Sequence, residues 1–190
     1  MTDYLTLPLT TPHSTWLGLL LVVTTMFANA NAKAALPPQL AVASVSVVDP
    51  DTAEASIQST TAEFYAGASI DEGLSYVSCF DPFDNIDLDS SLVVENDHVG
   101  SAGSIYIVAI VGEESYMLVG DVFHPWDGLR DSLQPFATKT LQATETINIL
   151  DQVQFGPAGI EQGELAIYIG YELVSELDKV YFSATPLRVN

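Results

Sequence analysis

Ser104-Ile105-Tyr106-Ile107-Val108-Ala109-Ile110-Val111 is the stretch that decides the fold class. Its β-branched and aromatic residues suit a pleated strand. From Ile105 onward both alternating positions are apolar, as in a strand covered on both faces. Leu165-Ala166-Ile167-Tyr168-Ile169-Gly170-Tyr171 has the same character, and the two runs are expected at the centre of a sheet.

Working outward from this pair, short apolar stretches recur, each closed by Gly, Pro, Asn or Asp. They predict strands over Ala62 to Ala68, Leu74 to Phe80, Ile86 to Val94, Ser104 to Val111, Tyr116 to Val119, Thr138 to Leu150, Glu164 to Tyr171 and Val180 to Val189. Ile86-Asp87-Leu88-Asp89 and Thr144-Glu145-Thr146-Ile147-Asn148-Ile149 alternate apolar with polar, as strands with one wet face do. Gly120 to Pro135, with Pro125 and Asp127-Gly128, reads as a long connection holding one short turn or helix. No segment sustains a helical period over ten or more positions. The pattern predicts an all-β protein, an antiparallel immunoglobulin-like β-sandwich of about seven to nine strands, over residues 62–190.

Ahead of that domain, Lys33 to Thr61 is rich in Ala, Ser, Thr, Val and Pro, with Pro37-Pro38 and Asp49-Pro50-Asp51. It reads as a linker. Leu40 to Val48 within it has strand character, either as the first strand of the domain or as one that pairs elsewhere. Met1 to Ala32 reads as a signal peptide: an uncharged run from Trp16 to Phe27 is followed by Ala28-Asn29-Ala30-Asn31-Ala32, which offers small residues where a signal peptidase reads them. At about 12 residues the run falls short of the roughly 20 that a spanning helix needs. Cleavage is therefore expected, with no stable membrane anchor after it, and the location expected is secreted, extracellular, at the cell surface or in the periplasm.

The 190 residues carry 25 acidic and 5 basic side chains, a formal net charge of −20. The five cations, Lys33, Arg130, Lys139, Lys179 and Arg188, are scattered. Such a surface repels phosphate, which excludes nucleic acid as a partner. With 48% hydrophobic residues the chain is apolar enough to bury a core. A single cysteine, Cys79, rules out an internal disulfide; it reads as a small buried strand residue, or as one half of an intermolecular bridge.

Two groups are candidate sites. Asp81, Asp84, Asp87 and Asp89 place carboxylates at two- and three-residue spacings, which would suit calcium. They lack the glycine of an EF-hand loop, and the favoured reading is a solvated acidic turn and strand face. Phe123-His124-Pro125-Trp126-Asp127-Gly128, with Tyr116 nearby, offers an aromatic platform for a sugar, against the favoured reading of a Trp126 that staples a loop to the sandwich edge. His98 and His124 have no second histidine or cysteine at a zinc spacing. Gly100-Ser101-Ala102-Gly103 is not the nucleophile turn of a hydrolase, and no catalytic residues or cofactor are expected.

Gly67-Ala68-Ser69-Ile70-Asp71-Glu72-Gly73, Asp97-His98-Val99-Gly100, Ile105-Tyr106-Ile107-Val108-Ala109, Pro125-Trp126-Asp127-Gly128, Leu133-Gln134-Pro135-Phe136 and Gly163-Glu164-Leu165-Ala166-Ile167-Tyr168-Ile169-Gly170-Tyr171 together carry a resemblance. By these residues the chain, from about Phe64 to Val189, resembles a family of small uncharacterised secreted modules of Gram-negative bacteria, often found at the ends of larger surface proteins. The resemblance implies a compact β-domain outside the cytoplasm and brings no catalytic residues. The expected role is a non-catalytic interaction or adhesion protein that contacts a protein or glycan partner, or a second copy of itself, at the cell surface. The alternatives are a filament or matrix subunit that adds Leu40 to Val48 as a strand to its neighbour, and a carbohydrate-binding module using Trp126.

Overall fold

The computed structural model describes residues 36–48, 54–158 and 164–189; the segment read as a signal, residues 1–32, lies outside them. In chain order the strands are β1 (Ala43–Val48), β2 (Ala55–Ser59), β3 (Glu63–Ser69), β4 (Ile86–Val93), β5 (Ala102–Val111), β6 (Glu114–Val119), β7 (Val122–Pro125), β8 (Ala137–Thr140), β9 (Thr144–Val153), β10 (Leu165–Leu173), β11 (Glu176–Ser183) and β12 (Leu187–Val189). They form two antiparallel sheets packed as a β-sandwich. One has nine strands in the order β2-β1-β11-β10-β5-β6-β7, with β12 beside β10 and β8 beside β5; the other is β3-β4-β9. No helix among the described residues is long and apolar enough to cross a membrane.

The two runs that are apolar on both faces do pair with each other, from Leu165 opposite Val111 to Leu173 opposite Gly103. The far edge of each is shared by two shorter strands: β6 and β8 divide β5 between them, while β11 and β12 divide β10. Ile105, Ile107, Ile167, Ile169 and Tyr171 face inward and meet Phe64, Ile86, Leu88 and Leu92 of the small sheet in one core. Each such side chain, removed from water, contributes about 1.5–3 kcal/mol. The outward face of the central pair is covered too. Residues 126–136 fold across it, where Arg130 lies over the Tyr106 ring and the Gln134 N–H reaches Met117 Sδ.

Several expectations are corrected. Thr138 to Leu150 is not one strand: β8 pairs with β5 in the large sheet and β9 with β4 in the small one. The crossover is fixed by Leu141, which is fully buried. A Cβ on Gly103 would stand 2.6 Å from Leu141 Cδ1 and 2.9 Å from the Glu172 carbonyl oxygen, so only glycine lets the crossover approach β5. Leu74 to Phe80 is not a strand either. Asp71 accepts hydrogen bonds from the backbone and hydroxyl of Ser75, and Ser69 accepts one from the Gly73 N–H; such local bonds compete with a ladder. A single bridge, Ala68 to Val77, survives, and Cys79 is exposed rather than buried. Val180 to Val189 divides into β11 and β12 around Pro186, and the connection from Gly120 to Pro135 contains β7.

Of the stretch read as a linker, the described residues hold two strands. β1 pairs with β11 on one edge and β2 on the other, so Leu40 to Val48 opens this chain's own sheet. Just before it, the Leu40 N–H donates to the Phe64 carbonyl and the Ala66 N–H to the Pro38 carbonyl, and Gln39 bridges Tyr65. One continuous strap thus closes a side of the sandwich, joining the outer edge of β3 to the edge of β11.

Ser90, on the inner face of β4, is fully buried, and its hydroxyl finds no hydrogen-bond partner among the described residues. A buried unsatisfied hydroxyl is costly where a methyl group is not. Ser90→Ala is expected to raise the free energy of unfolding by about 1 kcal/mol, read as a higher denaturant midpoint at unchanged slope.

Candidate functional site

The side of the sandwich opposite the strap is open. β9 bonds only to β4 and β7 only to β6, and between these two edges a cleft of about 420 Å³ enters the core. Ala109 and Val111 of β5 and Leu165 and Ile167 of β10 form its floor. Tyr116 of β6 and Phe123 of β7 wall one side, and Leu150, Val153 and Phe155 wall the other. Glu114 is the one charged residue in the lining. The Tyr116 hydroxyl donates to Glu114 Oε2, and this bond to a carboxylate raises the phenol's pKa.

The far wall depends on a β-bulge. Register between β4 and β9 slips between Ile86 and Asp89, and Gln152 sits at φ 52°, a left-handed conformation that costs a non-glycine residue about 1–2 kcal/mol. Asp87 holds it there. One carboxylate oxygen accepts the Gln152 N–H at 2.9 Å and the other the side-chain amide at 2.6 Å. Bulges re-aim side chains, and here Leu150 and Val153 on either side of Gln152 both line the cleft. Asp87 is itself buried, a correction to the wet strand face expected for it.

The four aspartates read as calcium candidates are therefore separately engaged. Asp84 accepts the Asp81 N–H and Asp81 the Phe83 N–H within one turn. Asp87 holds the bulge, and Asp89 accepts from the Asn148 amide. Burial raises the pKa of Asp89, against the effect of that hydrogen bond. Among the described residues no group of three or more His, Cys, Asp or Glu is placed to hold a metal.

Of the aromatic candidates, Tyr116 and Phe123 meet in the cleft. Trp126 lies beside it in a shallower groove of about 510 Å³, shared with Tyr116, Glu113, Glu114 and Asp127. Its indole N–H donates to the Leu129 carbonyl at 2.9 Å, and Asp127 accepts from the Leu129 N–H and the Ser132 hydroxyl, bonds that lower its pKa. The loop is thus stapled by Trp126 and Asp127 together. His124 is exposed on β7 and lines neither the cleft nor the groove. Leu150 ends an expected strand, but Val153 and Phe155 carry no signal in the sequence, because a bulge breaks the period-two pattern by which inward residues are recognised.

At the other end of the central strands lies a closed polar cluster. His98 Nδ1 is 2.9 Å from the Tyr171 hydroxyl, the Tyr171 and Tyr181 rings stack at 4.8 Å, and His98 meets Tyr181 edge-on at 4.9 Å. Burial pushes the Tyr171 phenol far up. Burial also pushes Glu95 up, but hydrogen bonds from the Thr60 hydroxyl at 2.6 Å and the Thr61 N–H at 3.0 Å outweigh it, and the net result is a carboxyl below its ordinary range.

Asp87→Ala is expected to cost about 2 kcal/mol by freeing the bulge, with Asp87→Asn costing less because it keeps one acceptor; denaturant unfolding at neutral pH reads both. A depressed folded-state pKa contributes stability that is present above the unfolded value and lost as pH falls through the folded one. The advantage of wild type over Glu95→Gln should accordingly be present at neutral pH and shrink as pH falls through the carboxylate range, as thermal melts across the acid range would show.

Comparison of the chain with protein-family models, with curated proteins and with solved structures finds no match to any of them.

Proposed function

We propose that this chain is a non-catalytic recognition module, secreted or held at a bacterial cell surface or in the periplasm, that engages its partner at the open side of the sandwich. The observation that carries the reading is the cleft between β9 and β7: it enters the core, nine of its ten lining residues are apolar or aromatic, and its wall is held by a strained residue. Strain retained where the surrounding structure over-determines it is characteristic of binding sites. A concave, largely apolar pocket with few polar groups is also the usual form of a ligand site.

We further propose that the sandwich is immunoglobulin-like. Two packed antiparallel sheets, the smaller with three strands, support it, as does the count of long strands once the short β2, β7, β8 and β12 are taken as extensions of their neighbours. The carbohydrate reading stands second, supported by the exposed groove where Trp126 and Tyr116 adjoin Glu113 and Asp127. In the assembly reading, strand addition moves from Leu40 to Val48, already paired on both edges, to the outer edge of β2, whose five residues are uncharged and exposed.

A neutral solvatochromic dye such as Nile red tests the leading reading. Saturable one-to-one binding to the wild type is expected, and Val153→Trp, at the partly exposed mouth, should abolish it while the melting temperature changes little. Absence of saturable binding to the wild type, or undiminished binding to a folded Val153→Trp, would remove the cleft as the recognition site.

A further inference from the structure

We propose that the cleft takes a small amphipathic cation, with an apolar body lodged between the sheets and an amine head held at the mouth by Glu114; this rests on the open side being the recognition surface. The cavity, at about 420 Å³, falls in the range of small-ligand pockets. Its walls offer hydrocarbon and the rings of Tyr116, Phe123 and Phe155, surfaces that attract both an alkyl or aromatic body and, face on, a cation.

Charge selects the head group. Glu114 lines both the cleft and the adjoining groove, where Glu113 and Asp127 stand with it. Its partner is a phenol, which donates a hydrogen bond without cancelling the charge. The chain's own described cations are committed elsewhere: Arg130 to Glu172, Lys139 to Glu145, Lys179 to Glu176 and Arg188 to Glu164. The mouth of an apolar cleft is thus negative, in a protein of formal net charge −20. An anionic amphiphile is repelled from it at long range and at contact, a neutral one gains only the walls, and a cationic one gains both.

Octylamine, octanol and octanoate share one apolar chain and differ only in head charge. Isothermal titration of the full-length protein with each, below the concentration at which the ligand self-associates, is expected to give one-to-one binding with octylamine about fivefold tighter than octanol, the scale of an exposed ion pair, and octanoate weakest. Glu114→Gln should bring the octylamine-to-octanol ratio close to one. Asp178→Asn, which removes the same charge from an exposed site on β11, should leave the ratio as in the wild type. Equal binding of octylamine and octanol, or an unchanged ratio in Glu114→Gln, would overturn the cation proposal while leaving the recognition reading intact. A ratio that falls equally in Asp178→Asn would also overturn it, because the preference would then be a property of the net charge. Failure of all three ligands together with failure of the neutral dye would remove the recognition reading itself.

Discussion

Nine consecutive residue pairs hold β10 to β5, and this full-length antiparallel ladder is the constraint from which the rest of the sandwich follows. Because both strands are apolar on both faces, neither can stand at the surface; each needs a partner on its free edge and cover above and below. The edges are filled piecewise by β6 and β8 on one side and β11 and β12 on the other. The inner face takes the three-stranded sheet and the outer face takes residues 126–136. The two ends of the ladder then differ in kind. At the Leu173 end a histidine and two tyrosines close the core with hydrogen bonds and ring contacts, while at the Leu165 end a cleft opens between the two sheets.

Electrostatics follows the same division. Two buried glutamates each hold a half-exposed cation, Glu172 taking Arg130 and Glu145 taking Lys139, while Lys179 and Arg188 pair with glutamates at the surface. Pairs of this sort add little net stability when exposed, but a buried carboxylate left without its partner is costly. Glutamates 172 and 145, both buried, therefore fix where those two cations sit. Most of the remaining acids face water, and the net charge of −20 is carried at the surface.

Much of the sandwich was legible in the sequence, because its long strands obey simple periodicities: β5 and β10 are apolar throughout, and β9 alternates cleanly from Thr144 to Ile149. What was not legible arises where backbone geometry overrides the period. Thr138 to Leu150 reads as one strand since nothing in its composition marks the change of sheet; the marker is Leu141 packing on a glycine in another strand. Leu74 to Phe80 has strand composition, but Asp71 and Ser69 divert its backbone. The cleft was half visible. Tyr116 and Phe123 stood out as aromatics beside a turn, whereas the opposite wall depends on a bulge pinned by Asp87 across the sheet, a long-range bond that no local pattern announces. The aspartates stand close in sequence, and the fold keeps Asp81 and Asp84 in one turn while it engages Asp87 with Gln152 and Asp89 with Asn148.

The strap that closes the side opposite the cleft also sets a timetable. Its strand β1 pairs with β11, Ala43 lying opposite Ser183, so a strand near the beginning of the described domain waits for one near the end. The entropy of closing so long a loop is met only when the sheet between them exists, and contacts of this separation slow folding. Until then the edge of β11 and the outer edge of β3 are both open, and β1 has only its neighbour β2 to bond to. Docking of β1 on β11 therefore requires a nearly finished chain. In a chain made from its N-terminus onward, β1 is synthesised early and meets its partner only once Ser183 has been added.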